Sequence, residues 1–241
     1  MPSSFHPFSV VFHILASLVA FTVFSSDFQI VTPDHQSYGG RWKYLTNINT
    51  VFQVTFFVFA SFGDIVTFFR GQETNWIISI RDTMFAAIVF PCGVFVTATF
   101  WGIYFVDREL VYPKILDDII PTWINHGLHT WVAVSVILEG AIVRHRYPRN
   151  VVGLFFALLF QVIYLSWISY IAYTQDFWVY PFLRLMENSA RTAFFGLCAL
   201  VLVFFYFMGK GMNRVIWEGE EAKITAQEKK NASKRKAKKV E

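Results

Sequence analysis

Charge is scarce in this chain: Asp, Glu, Lys and Arg make up 16% of 241 residues, well under the roughly one quarter usual in soluble domains. A soluble globule of this composition, 55% hydrophobic, would have too little polar surface to cover itself. Cysteine is also nearly lacking. Cys92 and Cys198 both lie inside apolar runs, which excludes a disulfide framework and leaves the redox compartment unread. They read as small packing residues. No internal repeat is visible. Charge of one sign is unevenly spread: ten of the twenty-one Lys and Arg follow Gly209, so the net +4 belongs to a tail. Beside a bilayer such a tail meets anionic cytoplasmic lipid, at ~1 kcal/mol per basic residue near the surface, and nucleic acid is not an expected partner.

What is present is a set of long apolar runs. A helix crossing the hydrocarbon core needs ~20 mostly apolar residues, and six stretches qualify: Phe8–Ser26, Ile48–Phe69, Thr83–Val106, Pro121–Val143, Val151–Tyr173 and Thr192–Gly209. The expected fold is therefore an all-α membrane bundle of six transmembrane helices over 1–209, followed by a basic tail, 210–241. The first run has no basic segment before it and is too long for a signal peptide, so it is read as an uncleaved span. Trp42, Trp123 and Trp178 mark span ends on one side, and Trp76 and Trp217 on the other, where amphipathic rings favour the headgroup zone.

Counting Lys and Arg in alternate loops gives fifteen on one side and six on the other, which places both termini in the cytoplasm. The tail makes the difference; without it the count is five against six. Glycosylation at the sequon Asn231-Ala232-Ser233 would reverse this orientation. The ending Lys238-Lys239-Val240-Glu241 resembles a dilysine retrieval signal read by cytosolic coat proteins, which points to the endoplasmic reticulum membrane, with the cell membrane as the alternative. The bland reading is a Lys-rich, disordered end.

Ionisable side chains inside a span cost at least a few kcal/mol and so must be paired, solvated or functional. Asp64 and Glu139 fall near cytoplasmic span ends, close in sequence to Arg70, Arg81 and Arg144, and read as paired structural ions. Asp82 is placed to cap the third span. The other side is richer. Asn125, His126 and His129 open the fourth span on roughly one helical face, and Lys43, Thr46, Asn47 and Asn49 open the second. Spans two and four enter from the same side in either orientation, so their polar mouths can meet.

With Trp42 and Trp123 as headgroup markers, Thr46 lies ~6 Å and His129 ~9 Å below the interface at the helical rise. A hydroxyl and an imidazole at matching depth are the minimum for base-assisted nucleophilic attack. An imidazole with an ordinary pKa near ~6.5 can take the hydroxyl proton near neutrality. From pattern alone, capping of the second helix by Thr46 ranks above catalysis. His126 and His129 also suit interhelical hydrogen bonding. Metal or haem ligation is a third option, but His13 and His145 fall toward the opposite side, leaving only His35 and the carboxylates Asp34, Asp117 and Asp118. No metal or cofactor is expected.

At these residues the chain becomes recognisable. The strings Tyr38-Gly39-Gly40-Arg41-Trp42-Lys43-Tyr44-Leu45-Thr46, Asp107-Arg108-Glu109-Leu110-Val111-Tyr112-Pro113-Lys114 with Leu116-Asp117, Asn125-His126-Gly127-Leu128-His129-Thr130, and Trp178-Val179-Tyr180-Pro181-Phe182 closely resemble those of the androgen-induced gene 1 / androgen-dependent TFPI-regulating protein family. The likeness runs from about Tyr38 to Trp217. It implies a six-span hydrolase of fatty acid esters of hydroxy fatty acids, with Thr46 as the threonine nucleophile and His129 as the histidine. The partners expected are then a lipid ester substrate and membrane lipid. Candidate substrate or oxyanion contacts are Lys43, Asn47, Asn49, Asn125 and His126, among which the pattern does not choose. No acid to orient His129 is evident beyond Asp117 and Asp118. The rival readings are a transporter, weakened by the lack of Gly/Pro-broken midplane helices, and a non-catalytic lipid-binding regulator.

Overall fold

The computed structural model describes residues 7–71 and 74–237; the dilysine-like Lys238 and Lys239 lie outside them. The described chain is helical throughout its regular elements. Helix α1 (Pro7–Gln29) is followed by two 3₁₀ turns and α2 (Leu45–Arg70). Next come α3 (Asn75–Met84), a π-helical turn (Phe85–Val89) and α4 (Phe90–Asp107), which run on as one rod. Helix α5 (Thr122–His126), a second π turn (Gly127–Trp131) and α6 (Val132–Ile142) form another, followed by α7 (Asn150–Gln175), the short α8 (Pro181–Arg184) and α9 (Asn188–Ala237).

Five helices are long and apolar enough to cross a bilayer by length and composition: Phe8–Gln29, Leu45–Arg70, Asn75–Leu110, Asn150–Gln175 and Asn188–Gly219. The fourth expected crossing is helical from Thr122 to Ile142, but Asn125, His126, His129 and Glu139 keep it out of that class. The α3–α4 rod is the central element: 61% of its apolar window is buried, against under a third in each of the others. Phe85 and Phe90 of the rod pack with Phe56 and Phe57 of α2 and Val136 of α6 in one buried cluster. Outward faces carry bare apolar side chains, with Phe105 and Val151 each 81% exposed, a pattern that water would penalise and lipid would not.

The two π turns have local causes or consequences. Pro91, just after the first, has no N–H to return to the preceding turn. In the second, Gly127 sits so close to α1 that a Cβ there would lie 2.5 Å from Val23 Cγ2. Gly127→Ala is therefore expected to cost about 1–3 kcal/mol by overpacking. It would read as a lowered Tm in detergent, with Val23→Ala in the same chain restoring room.

Two sequence expectations are corrected at the end of the bundle opposite Thr46. The partners of Asp64 and Glu139 are imidazoles, not the nearby arginines. His13 Nδ1 lies 2.7 Å from Asp64 Oδ2 and its Nε2 lies 2.9 Å from Glu139 Oε2. His145 continues the chain, with Nε2 3.1 Å from Glu139 Oε1 and Nδ1 3.0 Å from Asp82 Oδ1. Asp82 caps nothing, because the helix begins at Asn75, a full two turns earlier than its apolar run suggested. It accepts instead from Arg81 Nε and Nη2 at 3.0 and 2.9 Å and from the Arg146 N–H at 2.9 Å. Buried charges survive in such surroundings only when partnered like this.

Candidate active site

Thr46 is the second residue of α2, and the cap position belongs to Tyr44, which makes no side-chain cap bond. The head of the helix is held from outside. The Leu45 N–H donates to the phenol oxygens of Tyr164 and Tyr180 at 3.1 and 3.2 Å. The two phenols bond each other at 2.9 Å, and Tyr164 donates to the Lys43 carbonyl at 3.1 Å. Burial pushes the Tyr180 phenol up from its ordinary value, so it acts here as a neutral hydroxyl. The capping expected of Thr46 is thus supplied by two tyrosines, and its hydroxyl points sideways.

It points at His129. Thr46 Oγ1 and His129 Nε2 are 3.3 Å apart, though 83 positions separate them in the chain. The other ring nitrogen, Nδ1, faces the Asn125 side-chain oxygen at 2.8 Å and the Asn125 backbone carbonyl at 3.1 Å. A backbone carbonyl can only accept, so Nδ1 carries the hydrogen and Nε2 presents its lone pair to the Thr46 hydroxyl. Phe100 of α4 stacks on the imidazole, ring centroids 3.5 Å apart and planes within 11°. The ring is fixed in plane by Phe100 and in rotation by Asn125. Hydroxyl, imidazole and amide oxygen stand in a row, the order in which acyl-transfer sites place nucleophile, base and orienting group, with an amide where many hydrolases have a carboxylate.

The pair opens into a cavity of about 450 Å³ walled by α1, α2, α4, α5 and the loops 111–120 and 177–185. Asn47, Asn125, Asp27, His35 and Arg184 line it. Asp27 went unnoticed in the sequence because it ends an apolar run. It accepts from Arg41 Nη1 at 2.9 Å and from Asn47 Nδ2 at 2.8 Å, which ties the 3₁₀ turn, α1 and α2 together at the rim. Burial first, then the Arg41 guanidinium, hold the His35 imidazole below its ordinary value. Burial pushes Tyr112, also on the wall, up to about 12.

Of the other residues singled out in the sequence, three stand away from this cavity. Lys43 is fully buried, donates to Ser37 Oγ and lies over the Tyr44 and Phe177 rings at 5.3 Å each. Asn49 is fully buried below the head of α2, off the cavity wall. His126 turns outward, Nδ1 3.0 Å from Thr130 Oγ1 and its ring stacked on Trp101. The two histidines diverge and share no ligand position. Asp117, weighed as an orienting acid, pairs with Arg108 at 2.7 Å. Among the described residues no cluster of three or more His, Cys, Asp or Glu could hold a metal ion.

Gly39, in the left-handed region at φ 83°, makes the turn that delivers Lys43 to Thr46. A Cβ there would also lie 2.9 Å from Ile171 Cδ1 of α7. Only glycine suits both demands.

Comparison with known proteins agrees with the motifs. The chain is 39% identical over 208 residues to the human androgen-induced gene 1 protein, covering 83% of this chain and 87% of that one. It is 30% identical over 188 residues to the human androgen-dependent TFPI-regulating protein, covering 78% and 82%. A membrane protein of Schizosaccharomyces pombe is 22% identical over 167 residues, covering 69% and 72%. No solved structure matches. The family described as FAR-17a/AIG1-like protein matches residues 8–214, nearly the whole of the helical bundle, and the chain belongs to it.

Proposed function

We propose that this chain is an integral membrane lipid ester hydrolase that crosses the bilayer six times, both termini in the cytoplasm. In this reading it cleaves fatty acid esters of hydroxy fatty acids into a fatty acid and a hydroxy fatty acid. The observation that carries the proposal is the row of Thr46, His129 and Asn125 at the wall of a mostly apolar cavity of about 450 Å³. Thr46 Oγ attacks the ester carbonyl while His129 Nε2 takes its proton. The tetrahedral intermediate collapses with His129 protonating the departing alkoxide, which leaves as the hydroxy fatty acid. His129 then activates water against the acyl-threonine and the fatty acid is released. With the Leu45 N–H held by the two tyrosines and that of Ile48 by the Tyr44 carbonyl, the Thr46 and Asn47 N–H groups at the head of α2 are the donors for the developing oxyanion.

The test uses purified protein, a fluorophosphonate probe and a branched lipid ester. Labelling and turnover are expected to vanish in Thr46→Ala and survive in Thr46→Ser; turnover unchanged in Thr46→Ala sinks the assignment and favours a lipid-binding regulator. The basic tail is proposed to hold the protein in the endoplasmic reticulum membrane. A Lys238→Ala, Lys239→Ala chain is expected to shift to the cell surface when imaged, and an unaltered distribution would dismiss that address.

A further inference from the structure

A second cavity, about 110 Å³, also has Thr46 in its wall. The two share Thr46, Phe100, Val111 and Tyr180, and diverge from there. The smaller one runs between α2, α4, α7 and α9, past Val96, Leu165, Ile168, Phe195 and Cys198. Its few polar groups are already engaged: Thr99 Oγ1 donates to the Phe95 carbonyl at 2.6 Å, and the Tyr164 and Tyr180 phenols bond each other. A space whose polar atoms are already partnered by one another or by backbone suits hydrocarbon and penalises any group that needs a partner. Ile103, Phe194, Phe195 and Cys198 on its outer side are half-exposed, so it can be entered from the surrounding lipid.

Building on the hydrolase reading above, we infer that the two halves of the ester are sorted at Thr46: the acyl chain lies in the narrow α2–α4–α7–α9 cavity and the hydroxy-acid half in the wide one. The geometry of proton transfer requires this division. His129 borders the wide cavity and not the narrow one. The imidazolium must hand its proton to the departing oxygen, so the half that leaves must lie on the His129 side. As the bond from the ester carbonyl carbon to that oxygen breaks and the bond to Thr46 Oγ remains, the hydroxy acid departs through the wide cavity. Water then occupies the vacated space beside His129. The acyl chain stays covalently held, its tail in the narrow cavity, until water adds to the same carbon and Thr46 recovers its proton. The acyl-length preference is accordingly set by α7 and α9 with Phe182 and Leu183, and tolerance for the second half by Tyr112, Leu116 and Ile120 and by Phe177, Arg184 and Leu185.

An alkyl fluorophosphonate with a photoreactive diazirine at the end of its chain tests this directly. Thr46 Oγ displaces fluoride from phosphorus, and the alkyl group takes the place of the acyl chain. After illumination and digestion, cross-links are expected within Leu165–Ile168 and Phe194–Cys198; cross-links at Leu116 or at Arg184 and Leu185 overturn the assignment. A kinetic arm reads the same division without the probe. Cys198→Phe should lower kcat/KM for long-chain relative to medium-chain acyl esters by about tenfold, and Phe195→Ala should shift the ratio the other way. Neither should alter the ratio across a series varied in the hydroxy-acid half. An unmoved acyl ratio in both variants, or a shift in the hydroxy-acid series instead, defeats the inference. If the probe labels Thr46→Ala as well as it labels the parent protein, the nucleophile assignment itself fails and both readings go; normal Thr46 labelling with cross-links in the wide cavity removes only the sorting.

Discussion

His129→Ala is expected to cut turnover of a branched lipid ester about 10²–10⁴-fold while leaving the protein folded and extractable. In the proposed mechanism the imidazole does two jobs in succession, accepting the proton of Thr46, whose hydroxyl lies 3.3 Å away, and returning it to the leaving oxygen. His126 faces away, bonded toward Thr130, so it offers no substitute base and His126→Ala should change the rate little. In the same mechanism Asn125 acts through His129. Its Oδ1 accepts from Nδ1 at 2.8 Å and fixes which nitrogen meets the hydroxyl, so Asn125→Ala should cost about 10²-fold through misplacement of the ring. Asn125→Asp keeps an acceptor at the same distance and should recover much of that loss. A merely structural Asn125 would show the opposite pattern: lowered yield and Tm in both variants and an unchanged kcat per folded molecule.

The largest stability effect is expected at the other end of the bundle. Glu139 is fully buried, and its two oxygens face His13 at 2.9 Å and His145 at 3.1 Å. Glu139→Ala removes the shared partner of two buried imidazoles at once, and breaking a buried pair in this way typically costs about 3–5 kcal/mol. Thermal unfolding in detergent should show a large fall in Tm. Glu139→Gln, which keeps the shape and an acceptor, should fall less. Wild-type stability in Glu139→Ala would mean that the His13–Glu139–His145 chain holds nothing together.

The distribution of what was legible follows from sequence separation. The apolar runs identify helices because a bilayer or a buried face demands them over many consecutive residues. Thr46 and His129 could be paired because each sits near the head of a helix entering from the same side, so depth alone aligns them. Asn125 was visible on the His129 face but its role was not, since i to i+4 spacing says that two side chains are neighbours and not which donates to which. The Asp64–His13–Glu139 chain was misassigned to nearby arginines because its members stand 51 and 126 positions apart, and local proximity was the only guide. The start of the third helix was misplaced for a related reason. Asn75–Met84 is partly polar, and its helix is set by packing against α2 and not by an apolar run.

The π turn at Gly127–Trp131 acts as a phase adjuster within one rod. An α-helix turns about 100° per residue, so the extra residue accommodated there rotates everything after it relative to everything before. Asn125 and His129 are thereby aimed at the Thr46 end of α2, while Glu139 on α6 reaches both His13 and His145. A single-residue deletion in this turn would leave the helix helical and the composition almost unchanged, yet swing Glu139 out of the space between its two histidines or His129 away from Thr46. One rod serves two buried polar centres only because its winding is interrupted between them.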